Sequence, residues 1–277
     1  MAIDVVRGPR KVGRYVLLVV LAVVVLGPIY AVLMQALKTG TDAINHPESL
    51  LPINLTLSTI KKAWRIGDFG QLLVNSIVMS VAVTIGVVVT SLLAAFAFAF
   101  LEFPGKKFFF ALFLATMLVP AEVTVVVNQR TIDILGWKNS YQGLIIPLLA
   151  TGLGTFLVRQ VFLTIPKELR EAASLDGVGH LRFLWDVAAP LSRPTLGALG
   201  LLTFLGTWNQ YLWPQAIIDD REHRTVQIGL KSLTSADLNN LNLVTAGTVI
   251  AALPIFIMLV LFQRQLVRGL TAGAVKG

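Results

Sequence analysis

Six stretches of this chain are long and apolar enough to cross a lipid bilayer: 15–37, 72–101, 108–127, 141–158, 195–213 and 243–262. About 20 helical residues cover the roughly 30 Å of hydrocarbon in a membrane. No water reaches the backbone there, so each stretch must satisfy its own N–H and C=O groups as a helix. The pattern predicts an all-α integral membrane protein of six transmembrane helices, one membrane domain over residues 1–277. Composition agrees: 14% of residues are charged, where a soluble domain carries about 25%. Arg7, Arg10, Lys11 and Arg14 precede the first stretch like the basic region of a secretion signal. The apolar run behind them is too long for a cleaved signal and has no small-x-small cleavage site, so it reads as a retained helix.

Several chemistries fall away. Cysteine is absent, which removes disulfides, thiolate metal sites and thiol nucleophiles. His46, His180 and His223 all fall between apolar stretches, leaving an intramembrane protease no general base at depth. No G-x-x-x-x-G-K-[ST] loop is present to cradle ATP phosphates. The chain reads as non-catalytic, with no cofactor or metal of its own.

Charge sets the expected orientation. With the amino terminus inside the cell, the inner segments hold 14 of the 23 basic residues and six of the 15 acidic ones. The formal net charge of +8 then lies wholly inside, as expected where lysine and arginine gather on the cytoplasmic side. Both termini are placed in the cytoplasm, and no nucleic-acid partner is needed to explain the charge. The outer loops are 38–71, 128–140 and 214–242; the inner ones are a tight turn at 102–107 and a long loop at 159–193.

That long loop exceeds what a connector requires. Pro166 suits a first helical turn, where a missing N–H costs nothing. Ile165, Leu169, Ala172 and Leu175–Asp176 follow at helical spacing, and Gly177 supplies a stop. Small Ala172 and Ala173 would let such a helix sit deep in a partner's groove. Glu171 and Asp176 would pair with basic groups there, and Gly177 would turn the chain back to the membrane. The plainer alternative is an interfacial helix without a partner.

The run Glu171-Ala172-Ala173-Ser174-Leu175-Asp176-Gly177, followed by Pro190-Leu191, resembles the EAA loop of ABC importer permeases. Its place between the fourth and fifth of six helices fits that family. The likeness covers most of the chain and is strongest with the carbohydrate, maltose permease-like type. Segments 117–123, 208–214 and 263–270 look most like the second permease subunits of sn-glycerol-3-phosphate and glycerophosphodiester importers. The tail at 266–277 resembles that of maltose permeases, whose end reaches the ATPase dimer. The resemblance implies a type I ABC importer permease fold with a cytoplasmic coupling helix, in a bacterial cell membrane. It implies a homologous sister permease, two ATPase subunits that bind ATP and Mg, and an extracytoplasmic solute-binding protein. The implied solute is glycerol-3-phosphate or a glycerophosphodiester such as glycerophosphocholine. A disaccharide such as trehalose or maltose is the alternative. An ion-coupled secondary transporter, which would need buried carboxylate chains or inverted repeats, is a more distant one.

Polar groups inside the apolar stretches are candidates for the path of a small polar solute. Glu122 stands out, because a charge at the bilayer centre costs at least ~2.5–3.5 kcal/mol and so should face a cavity. Pro120 frees a backbone carbonyl beside it. The alternative puts Glu122 near the outer interface, paired with Arg130. Asn209, Gln210, Tyr211 and Trp213 offer amides and aromatic faces, although Trp213 is better read as an anchor in the interfacial belt. Asn128 with Gln129, and Asn75 with Ser76, are weaker candidates. No lysine or arginine lies in mid-span, so phosphate recognition is expected in the binding protein or the sister permease. The loop with Asp219, Asp220, Arg221, Glu222 and Arg224 reads as solvated surface or, by the resemblance, as a dock for the binding protein.

Overall fold

The computed structural model describes residues 9–46, 48–49, 54–236 and 241–271. Arg7 and the tail 272–277 lie outside the described residues, as do the side chains of Arg10, Lys11, Arg264 and Arg268. Every regular element among the described residues is helical. The chain packs as two compact units, Met1–Phe69 with Leu230–Leu253, and Gly70–Gly229 with Pro254–Gly277.

The first unit contains α1 (Pro9–Ala36), α2 (Gly40–Asn45) and α3 (Ser58–Ile66). The side chains of α1 from Val12 to Leu26 are uncovered, as befits a helix apolar on all sides that spans a membrane. Its end is locked. Lys38 is fully buried and donates from Nζ to the His46 carbonyl at 2.8 Å. The Thr59 hydroxyl donates to the Lys38 carbonyl at 2.7 Å. Such bonds make burial of a charged side chain tolerable.

The second unit is built on α4 (Phe69–Phe100), whose 32 residues extend about 48 Å, well beyond the hydrocarbon layer. Its Met79, Val83, Val87 and Phe100 share one core with Val158, Phe162, Leu184, Trp213 and Ile217. After a turn at Gly105 (φ +78°) come α5 (Lys106–Ala115), α6 (Ala121–Leu135), α7 (Tyr141–Ile145), α8 (Gly152–Phe162) and α9 (Lys167–Leu175). The short α10 (His180–Phe183), a π turn Leu184–Ala188 and α11 (Ala189–Leu191) lead into α12 (Arg193–Trp208). Helix α13 (Leu212–Ile217) follows, and α14 (Val226–Ala236) and α15 (Leu241–Thr271) each divide between the two units.

Three of the six apolar stretches are not the straight spans expected from sequence. Stretch 108–127 breaks at Pro120, and α5 with its 3₁₀ turn meets α6 at 103°. Proline lacks the N–H that would carry the ladder onward. Stretch 141–158 bends by 43° between α7 and α8, where the Thr151 hydroxyl caps α8 by accepting from Gly154 N. Stretch 195–213 stops at Trp208; the chain loses helix over 209–211 before α13. Among the described residues three helices alone are long and apolar enough to cross, and two bent pairs add to them. At 16 residues, α12 falls short of a full span by itself.

Candidate functional site

The segment α9 is held at both ends by its own chain. Ile165 is buried ahead of it, and Pro166 stands at its N-cap. At the other end Gly177 takes φ +73°. Gly177 N donates to Ser174 O at 3.1 Å and Val178 N to Ala173 O at 2.8 Å, the two bonds of a Schellman ending. A Cβ at 177 would meet nothing within 4 Å, so glycine is needed there for its backbone and not for space. Ala173 and Val178 pack against the core, which turns Ala173 toward its own bundle and not, as expected, outward with Ala172. Glu171, Ala172 and Asp176 are exposed, and Leu175 is 89% exposed. Beside them a groove of about 770 Å³ is walled by Phe100, Phe162, Arg170, Glu171 and Ser174. The Arg170 guanidinium lies 5.7 Å from the Phe100 ring centroid.

Six of the nine residues singled out for a solute path line one cleft. Glu122, Asn128, Asn209, Gln210, Tyr211 and Trp213 surround a cavity of about 320 Å³. The break at Pro120 aims the first turn of α6 into it, and the loss of helix at 209–211 supplies the facing wall. Glu122 is exposed and makes no ion pair with Arg130. Asn209 donates to Leu205 O at 2.8 Å, closing the end of α12. Gln210 carries a buried amide oxygen, Oε1, with no donor among the described residues. Trp213 is not a belt anchor: it is 2% exposed, and its indole N–H donates to Leu144 O at 3.2 Å. The turn at 209–211 folds α13 back onto α6 and α7, carrying the ring inward. Gln129 is spent on Ala216 O at 2.8 Å. Among the described residues no group of three His, Asp or Glu could hold a metal ion.

Asn75 and Ser76 have a different task from the one expected. Asn75 is fully buried and donates to Glu222 O at 2.6 Å and Arg224 O at 2.9 Å. Its Oδ1 accepts from Tyr141 OH at 2.6 Å and from Gln71 Nε2 at 3.0 Å. The Ser76 hydroxyl accepts from Val226 N at 2.8 Å. From the other side Asn139 Oδ1 accepts from Asp219 N at 2.7 Å. Asn139 itself sits at φ +54°, a conformation asparagine tolerates better than most residues. The loop 218–226 is therefore fastened down and is not merely solvated surface. Burial works against the charged form of Asp220. Hydrogen bonds from the His223 backbone and ring, with the charges of His223 and Arg224, outweigh it and hold the carboxyl below its ordinary range. Lys138, 2.8 Å from Asp219, is raised by that hydrogen bond first and by its charge second. Asn139 and Tyr141 escaped the sequence reading. The Lys138-Asn139-Ser140 turn was a local hint for the first, but nothing local marks the second.

The family of binding-protein-dependent transport system inner membrane components matches residues 86–272. The chain belongs to that family. It is 36% identical to the sn-glycerol-3-phosphate transport system permease protein UgpE of Yersinia pestis, over 92% of this chain and 94% of that one. The protein of the same name from Pectobacterium atrosepticum is also 36% identical, over 95% and 97%. A crystal structure of a bacterial ABC transporter involved in the import of the acidic polysaccharide alginate superposes with a TM-score of 0.79 at 26% identity. It covers 95% of this chain and 99% of that chain. The chain is thus a non-catalytic, multi-pass permease subunit, and ATP hydrolysis in such transporters belongs to separate subunits. Membership sets the ion-coupled alternative aside.

Proposed function

We propose that this chain forms half of the path by which a binding-protein-dependent importer takes up glycerol-3-phosphate or a glycerophosphodiester such as glycerophosphocholine. The observation that carries the solute is whole-length likeness to permeases named for sn-glycerol-3-phosphate. Likeness to an alginate importer keeps a sugar, such as trehalose or maltose, as the second reading. The other half of the path is a homologous sister permease. Two ATPase subunits bind ATP and Mg, and a solute-binding protein docks outside near 218–226. Both termini lie in the cytoplasm.

In this reading α9 is the coupling helix. Glu171, Ala172, Asp176 and the uncovered Leu175 meet an ATPase subunit. Ala173, Val178 and Ile165 pack this segment against the core that includes Phe100 and Phe162, so that movement of the ATPases tilts the bundle as a rigid body. The cleft around Glu122 and Gln210 is the solute's path at membrane depth.

The test is ATP hydrolysis by the full complex reconstituted in liposomes, challenged in turn with glycerol-3-phosphate, glycerophosphocholine, maltose and trehalose. Stimulation by the two glyceryl phosphates is expected. Stimulation by a disaccharide alone overturns the solute, and uptake by this chain with no ATPase present overturns the whole reading.

A further inference from the structure

A second cavity, of about 270 Å³, adjoins the cleft; its polar lining is Thr151, Thr203, Thr207 and Gln210, set among Val83, Val87 and Leu199. Leu148 and Gln210 belong to the walls of both cavities, so these two side chains form the partition between them. Leu148 brings only bulk. Gln210 brings an amide whose oxygen is buried with no donor among the described residues, and buried polar atoms without partners are exceptions that call for a cause. Thr203 and Thr207 lie one helical turn apart on α12, and Gln210 follows three residues on. They make a short line of neutral polar groups leading away from Glu122.

We propose that Gln210 is the selectivity element of the solute path: the solute parts Gln210 from Leu148 as it moves between the two cavities, and the amide oxygen so uncovered accepts a hydrogen bond from a solute hydroxyl. The lining dictates the class of group recognised. Neither cavity has a lysine or arginine on its walls, and their one charge is Glu122. The Glu122 carboxylate repels anions, and both it and the Gln210 amide oxygen take up donors. The site therefore reads the hydroxyl-bearing glyceryl or sugar end of the solute and leaves its phosphate unread. This inference rests on the cleft being the path, and it adds which part of the solute is selected there.

The test compares uptake of glycerol-3-phosphate with that of 3-hydroxypropyl phosphate, which lacks the secondary hydroxyl, in the intact reconstituted complex. The wild-type complex should prefer the first, and Gln210→Met should erase that preference. Its uptake of glycerol-3-phosphate should fall about tenfold, the scale of one hydrogen bond, with the deoxy compound unaffected. Gln210→Leu, which also lacks the acceptor, takes its place if the Met variant fails to assemble, and Gln210→Glu, which keeps an acceptor, should keep the preference. Equal loss of both compounds in Gln210→Met, or a lost preference in Gln210→Glu, overturns the proposal. If the wild-type complex imports only a disaccharide, the solute assignment fails by itself. The same variants are then judged with that sugar against its deoxy form.

Discussion

The loop around α9 and the loop 218–226 are both fixed in place, but by opposite means. The end of α9 is closed by backbone bonds within a few residues, Gly177 to Ser174 and Val178 to Ala173. Its outward side chains, Glu171, Ala172, Leu175 and Asp176, are left exposed. The 218–226 loop is closed by side chains from far along the chain, Asn75, Ser76 and Asn139, whose polar atoms are used up in holding it. A segment that secures itself with backbone keeps its side chains for a partner. A segment held by buried amides is a fixed platform, and its rigidity depends on a few atoms.

The largest effect should come from α9. Gly177→Ala places a Cβ in open space but forces an L residue to φ +73°, costing about 1 kcal/mol. Gly177→Trp carries similar backbone strain and adds bulk beyond a Cβ that has nothing within 4 Å. Uptake by the reconstituted complex should survive the first and fall to background in the second, with similar shifts in thermal unfolding for both. Equal uptake in the two variants would show that no partner surface covers this end of α9.

Asn75→Leu should come next, and should act on the other loop alone. It leaves the Glu222 and Arg224 carbonyls and the Tyr141 hydroxyl without their partner, a loss of about 3 kcal/mol. Proteolysis within 219–225 should speed up while the ATPase subunits still assemble on the complex. Loss of ATPase assembly with the loop still protected would break the separation drawn between the two regions.

The same contrast governs what sequence could disclose. The α9 segment was legible because its determinants are contiguous: a proline, a helical spacing and a glycine stop within a dozen residues. Membrane-helix character was legible from the length of apolar runs, yet that measure passes straight over Pro120 and the break at 209–211, whose few polar residues sit among apolar neighbours. The six cleft residues could be named because polar groups are costly at depth, but their meeting across one cavity depends on those two breaks. Trp213 was misread because a tryptophan near the end of an apolar run looks the same whether it faces an interface or turns inward. Asn75 and Ser76 were misassigned because their partners lie about 150 residues on, and nothing local records such a pairing.

The smallest effect concerns pH, and it tests how the platform is held. A carboxylate depressed on folding, as Asp220 is, adds stability above its unfolded value of about 3.9. That contribution is lost as pH falls through the lower folded value. An ammonium raised on folding, as Lys138 is, contributes fully below about 10.4 and loses its contribution as pH climbs through the raised value. Neither group changes charge between about pH 5 and 9, and the bonds from Asn75, Ser76 and Asn139 involve no titrating atom. Amide exchange in 218–226, corrected for its intrinsic pH dependence, should therefore be level across that window and rise only in acid below it. A step inside that window would mean that the His223 ring, bonded to Asp220 at 2.9 Å and edge-on 5.1 Å from Tyr141, controls the loop. The fixed platform would then be a switch, and the contrast with α9 would have to be redrawn around a titrating group instead of around neutral amides.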